Sequence, residues 1–323
     1  MIGKLWSRKA FRTSARVNNK QKETQSFSLC YSWPMRKQFF SGSRCGQCGK
    51  SYDPTLQYCP SCGEKNAESG NARYKNFLHV GYVKEATFIL LGLAGLNVIA
   101  LFAQLLSILV YRPEDKTAFV YTGQSLFFTY AIAYPLLFLI MALVLWKDWR
   151  KVGDCFRKWK PYIGGIIGYA AIMLFSIVYN LIIQAIFSSL GLALPSDNAN
   201  QTNVINMVLE SPIACVFIIG IIGPFCEELC YRVGLFGLAS RLGKWVGYLA
   251  GILIFALIHF DVSALSTQEG AITELVSLPN YLFSGACLCF LYDKLGLSAS
   301  FTAHLINNVT SIVQIIVQYG GKQ

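Results

Sequence analysis

The sequence predicts an all-α, polytopic membrane protein of about seven transmembrane helices with a small cysteine-bearing domain near its N-terminus. Three observations predict it. Of 323 residues, 54% are hydrophobic and only 14% charged, where an ordinary soluble domain carries about 25% charged residues; the mean hydropathy is +0.44. Charge is segregated: residues 1–76 hold 14 Lys/Arg against 4 Asp/Glu, a net of +10 in a chain of +11, and residues 161–231 contain no Lys or Arg. From residue 86 onward, apolar runs of roughly the 20 residues needed to cross about 30 Å of hydrocarbon follow one another. The apolar content excludes a disordered chain. Eleven cysteines, an odd and sparse number, exclude a secreted disulfide scaffold. Because a membrane body follows it, the basic head fits a positive-inside tail near anionic lipid better than a nucleic-acid surface.

Residues 1–44 are basic and polar with one acid, Glu23. No apolar run follows the basic ones, so this is not a secretory signal peptide. The expectation is a disordered tail, or an extension upstream of a start at Met35.

Residues 45–63 read CGQCGKSYDPTLQYCPSCG. Two Cys-x-x-Cys pairs, Cys45/Cys48 and Cys59/Cys62, stand 10 residues apart, each followed by a glycine, Gly49 or Gly63. A thiolate pair at this spacing wraps one metal in a tight turn, and the glycine admits the positive φ that the turn requires. Two such knuckles make a closed four-sulfur site, which predicts a structural zinc ribbon rather than a catalytic centre. A pair of disulfides would need an oxidising compartment. Residues 64–84 are a polar linker.

The membrane part, 85–320, divides into spans 86–110, 118–146, 162–190, 208–228, 245–260, 275–292 and 297–318. Pro135, Pro161 and Pro224 lie in or beside three of them, as membrane helices tolerate. The loop 147–160 carries Lys147, Arg150, Lys151, Arg157, Lys158 and Lys160 against Asp148 and Asp154, so it is expected inside. Loop 191–210 has no basic residue, and 261–274 carries Asp261, Glu269 and Glu274; both are expected outside. Counting back puts the N-terminus and ribbon in the cytoplasm of a bacterial-type plasma membrane.

Charges inside apolar runs are costly, about 2.5–3.5 kcal/mol each on the insertion scale, and therefore informative. GPFCEELCYR places Glu227, Glu228 and Arg232 in the fourth span or at its end. Glu228 and Arg232, at i and i+4, stack on one helix face and can pair. Glu227 lies about 100° around the helix from Glu228 and is left to face elsewhere. A helix end with ordinary surface charges is the plainer reading of this motif alone. His259 ends FALIHF, one turn after Phe255. His304 and Asn308, in FTAHLINNVT, share a face of the last span at i, i+4. His79 sits in the polar linker.

Glu-Glu-x-x-x-Arg, Phe-x-x-x-His and His-x-x-x-Asn, in this order on successive spans, resemble the CAAX-protease and bacteriocin-processing (CPBP or Abi) family of intramembrane endopeptidases, over roughly 203–318. The resemblance implies that Glu227 activates a water for attack on the scissile amide and that Glu228 and Arg232 form a structural pair. It implies further that His259 orients the water, and that His304 and Asn308 stabilise the oxyanion. The chemistry is compatible: His and Asn donors facing a developing oxyanion in low dielectric contribute several kcal/mol. A catalytic zinc on Glu and two His competes with this, though no His-Glu-x-x-His helix is present. The implied partners are membrane lipid and a peptide or protein substrate, lipidated ones included. A catalytically idle scaffold or bacteriocin-immunity protein, and a proton-coupled transporter, are the other readings. A simple zigzag of spans leaves one conflict: Glu228 and His304 fall near the inner side and His259 near the outer end of its span, whereas the chemistry needs one depth.

Overall fold

In a computed structural model, residues 43–45, 47–52, 59, 61, 76–111 and 122–320 are described. The basic segment 1–42, Cys62, Gly63, linker residues 64–75 and the first four positions of the expected second span, 118–121, lie outside the described residues. Strands β1 (Ser43–Arg44) and β2 (Ser51–Tyr52) pair antiparallel, Ser43 opposite Tyr52 and Arg44 opposite Ser51, around the first cysteine knuckle.

Nine helices follow among the described residues: α1 (Tyr82–Val110), α2 (Gly123–Val144), α3 (Trp149–Phe156), α4 (Lys160–Ser189), α5 (Ala199–Glu210), α6 (Pro212–Ala239), α7 (Lys244–Leu257), α8 (Gln268–Leu295) and α9 (Leu297–Tyr319). Six of them, α1, α2, α4, α6, α8 and α9, are long and apolar enough to cross a membrane. The starts follow from local chemistry. Thr122, Asn198 and Thr267 cap α2, α5 and α8 through their side chains, and Pro161 and Pro212 open α4 and α6, where a missing N–H costs nothing. Gly296, at φ 91°, makes the one-residue turn between α8 and α9; a Cβ there would meet the Asn76 carbonyl oxygen at 2.9 Å.

Two sequence expectations change. The fourth span does not end at 228 but runs to Ala239. Its charges look like a terminus in the sequence; in the fold Glu228 and Arg232 are sealed inside the bundle, and the helix continues past them. The expected span 245–260 is the 14-residue α7, about 21 Å long and too short to cross alone. Its start lies with the basic end of the bundle, where Lys244 and Lys294 both pair with Asp293. The segment after it turns onto α8, where the Asp261 amide donates to Glu274 Oε2. The expected span is therefore replaced by a short helix and the turn and 3-10 segment that follow it.

The core lies around α6, the most buried of the six long helices. Phe88, Leu137, Leu229, Phe236, Phe255, Leu288 and Tyr292 form its main cluster. The outer faces of α1 and α4 present Leu101, Phe102, Leu109, Ile166, Ile167 and Leu174, the surface that lipid would cover. α9 is set by α4: a Cβ at Gly165 would stand 2.6 Å from Thr302 Cβ and 2.7 Å from the Ala299 carbonyl oxygen, so the missing side chain lets the two backbones close up. Tyr169 on α4 donates to Thr310 on α9 at 3.1 Å.

Candidate active site

α6 carries Glu227, Glu228 and Arg232 near its middle and is widened twice, by π-helical turns at Ile218–Ile222 and Leu229–Phe236. Such turns recur at functional sites because they re-aim side chains and free backbone groups. The second begins just after Glu228. Glu228 Oε2 and Arg232 Nε stand 3.6 Å apart, an ion pair with both side chains at 0% exposure. The guanidinium also lies 4.6 Å above the centre of the Phe255 ring, a cation–π contact that suits a weakly hydrated planar cation.

Across from them, α9 delivers His304. Its Nδ1 is 2.9 Å from Glu228 Oε1. A carboxylate only accepts, so this nitrogen carries the proton. Its other nitrogen, Nε2, faces Glu227 Oε2 at 3.6 Å. One imidazole thus stands between two adjacent glutamates, bonded to the sealed one and turned toward the more open one. Glu227 keeps 16% of its side chain exposed, against 0% for Glu228 and 6% for His304.

His259, just beyond the end of α7, is one aromatic ring away. The Phe255 ring centre lies 4.9 Å from that of His259 and 5.8 Å from that of His304. His259 Nδ1 donates to the Phe255 carbonyl oxygen at 2.7 Å, leaving Nε2 as the free edge. Its ring stacks on Tyr281 of α8, 4.6 Å between centres and 17° between planes. The Tyr281 hydroxyl accepts from the amides of Asn198 and Asn200, both at 3.2 Å, which ties the start of α5 to the site. Because α7 is short, His259 stays at the depth of the other groups, and the conflict in the zigzag topology disappears.

Asn308 lies one turn beyond His304 on α9, and its Nδ2 donates to the Ile219 carbonyl oxygen at 3.0 Å, in the first π turn of α6. The structure therefore gathers Glu227, Glu228, Arg232 and His304 in direct contact, brings His259 alongside through Phe255, and sets Asn308 against the backbone of α6. Tyr134 on α2 was not singled out by the sequence; its hydroxyl donates to Glu227 Oε1 at 3.0 Å. The signal was there in a phenol within an apolar span, but 93 residues separate the two and no local pattern links them.

The cysteine domain is a second centre. Ligand atoms of Cys45, Cys48 and Cys59 all lie within 4.8 Å of one another. Cys48 Sγ and Cys59 Sγ are 3.6 Å apart, close to the edge of about 3.8 Å expected for a tetrahedron with Zn–S bonds of about 2.3 Å. Gly49 adopts φ +68°, and the Cys48 amide approaches Cys45 Sγ at 3.5 Å. This donor set fits a metal ion such as zinc.

An α-helical membrane bundle with a paired-glutamate and histidine centre on its middle helix is the class of protein defined by these observations. The comparisons go further. Residues 209–310 match the family of Rce1-like type II CAAX prenyl endopeptidases. The chain is 28% identical over 161 residues to UPF0177 protein YvdC of Lactococcus lactis subsp. lactis (strain IL1403), covering 50% of this chain and 55% of that protein. No solved structure matches. Together these matches support a membrane protein of the CPBP/Abi family.

Proposed function

We propose that this protein is an intramembrane endopeptidase that hydrolyses peptide bonds of membrane-associated peptides or proteins, lipidated ones among them. The observation that carries the reading is the His304 imidazole held between Glu228 at 2.9 Å and Glu227 at 3.6 Å inside a helical bundle. A carboxylate oxygen and an imidazole nitrogen 3.6 Å apart can both bond one water lying to the side of the pair, at about 2.8 Å from each.

Glu227 takes a proton from a water as its oxygen attacks the scissile carbonyl carbon. His259 Nε2 orients that water. The oxyanion is met by His304 Nε2–H in the doubly protonated ring and by the second amide hydrogen of Asn308, whose first is on Ile219. Collapse breaks the C–N bond, and Glu227 returns its proton to the leaving amine. Glu228 and Arg232 hold the His304 ring and do not react. A catalytic zinc on Glu227, His259 and His304 is the competing reading, and the sequence lacks the His-Glu-x-x-His helix that commonly carries one. The basic end of the bundle, with α3 and the zinc ribbon, faces the cytoplasm.

The test is mass spectrometry of membrane peptides incubated with the detergent-purified protein. Wild-type protein should cleave a subset of them. Glu227→Gln keeps the side-chain shape but cannot take the proton, so cleavage should fall by about 10²-fold or more with the thermal midpoint unchanged. Cleavage by Glu227→Gln at the wild-type rate removes this mechanism. Absence of cleavage together with gradient-driven flux in vesicles would put the transporter reading in its place.

A further inference from the structure

Tyr134 belongs to α2, outside the family-matched segment 209–310. A phenol in an apolar span needs a partner for its hydroxyl. Here the hydroxyl meets Glu227 Oε1 at 3.0 Å. How the ring gets there is readable on α6. Gly223 lies one turn before Glu227, on the same helix face. A Cβ at Gly223 would stand 3.4 Å from both Cε1 and Cζ of Tyr134, so the ring rests against that bare backbone and its tip reaches the next turn. Tyr130, one turn earlier on α2, stacks on the same ring with 5.8 Å between centres.

The two oxygens of Glu227 are thereby given different neighbours. Oε1 accepts from Tyr134, and Oε2 faces His304 Nε2. A carboxylate bonded at one oxygen cannot rotate freely about its terminal torsion, so the direction of the second oxygen is set. We infer that Tyr134 is the positioning residue of Glu227, fixing through Oε1 the orientation in which Oε2 meets the water. This rests on the reading of Glu227 as the proton acceptor.

Two measurements on the full-length protein in detergent test it. The first needs no turnover. The infrared carboxylate band of Glu227 is isolated as the difference between wild-type and Glu227→Gln spectra, then isolated again in the Tyr134→Phe background. Loss of a phenol hydrogen bond to one oxygen should shift the antisymmetric stretch and change its separation from the symmetric one. Identical bands in the two backgrounds overturn the inference, whatever the protein's activity. If the phenylalanine variant melts early, wild-type protein grown on 3-fluorotyrosine serves instead: its more acidic phenol strengthens the bond and should move the band the opposite way, and an unmoved band is equally decisive against.

The second is kinetic. Tyr134→Phe should lower kcat about tenfold, the scale of one hydrogen bond to a charged group, and leave KM unchanged, because the group acts on the transition state and not on substrate binding. On Glu227→Gln the same change should have no further effect. A rise in KM at constant kcat would assign Tyr134 to substrate binding and overturn positioning. Should no peptide be cleaved by any variant, the endopeptidase reading fails while the infrared result still decides the contact.

Discussion

His304 and Glu228, 76 residues apart in the sequence, share a 2.9 Å hydrogen bond buried inside the helical bundle. The bond has two consequences. It places a proton on Nδ1, because a carboxylate can only accept, and it turns Nε2 toward Glu227. It also makes the paired glutamates unequal: one is a support, closed by Arg232 and His304, and the other stays partly exposed.

Arg232→Ala should therefore be a folding defect first. It leaves Glu228 as a buried charge without its cation, a loss of about 3–5 kcal/mol for a broken buried pair. Arg232→Lys should retain more stability than Ala but not all of it, since an ammonium does not reproduce the planar stacking on Phe255. Thermal unfolding in detergent checks both. An Arg232→Ala midpoint equal to that of the wild type would show that the pair contributes no net stability.

Cys45→Ser with Cys59→Ser should release about one zinc per chain and leave the membrane helices folded. The ribbon segment is too short to bury a useful core, so thiolate–metal bonds supply its folding energy, while the bundle has its own core around α6. Metal analysis and circular dichroism of the double variant are the measurements. Unchanged zinc content would contradict the ribbon.

Reading these elements from sequence succeeded where one chemical signal dominates a segment. Six long helices follow from apolar length, the first knuckle from cysteine spacing and Gly49, and the Glu228–Arg232 pair from its i, i+4 spacing. It failed where partners decide. Charge at 227–232 implies a helix end, yet the pair cancels inside the bundle and α6 runs on to Ala239. His259 looks misplaced in the sequence because 245–260 reads as a full crossing, whereas α7 is a 14-residue helix. For Asn308, given an oxyanion role by the resemblance alone, nothing local shows that one amide hydrogen goes to Ile219, whose carbonyl lies in a π turn. The second-span Tyr134 and the Asn198–Tyr281–His259 chain arise from tertiary contacts alone.

Topology is checked with single cysteines in a background cleared of reactive thiols. Ser196 and Gly153 are both exposed, at opposite ends of the bundle, and a Cβ at Gly153 meets nothing within 4 Å. A membrane-impermeant thiol reagent on intact cells should label Ser196→Cys and spare Gly153→Cys. The reverse pattern would invert the protein.

Acid should weaken the basic end of the bundle through Asp148. This residue lies between α2 and α3 and pairs with Lys84 of α1 and with Lys151, the latter at 2.7 Å. Burial pushes its carboxyl up, but the hydrogen bonds from Lys151 and Lys84 outweigh burial and hold it below the usual carboxylate value. A carboxyl whose folded value is lowered stabilises the fold fully above its unfolded value, about 3.9, and loses that contribution as pH falls through the folded value. Both lysines remain partly in water, so the stake is that of a screened pair, about 0.5–1 kcal/mol. Asp148→Asn should consequently lower the thermal midpoint at pH 7, with a gap from wild type that narrows below about pH 4. High salt should narrow the pH 7 gap as well, because exposed cations are screened. A gap that is constant from pH 7 to pH 3 would mean that Asp148 acts through packing or capping of α3 rather than through its charge.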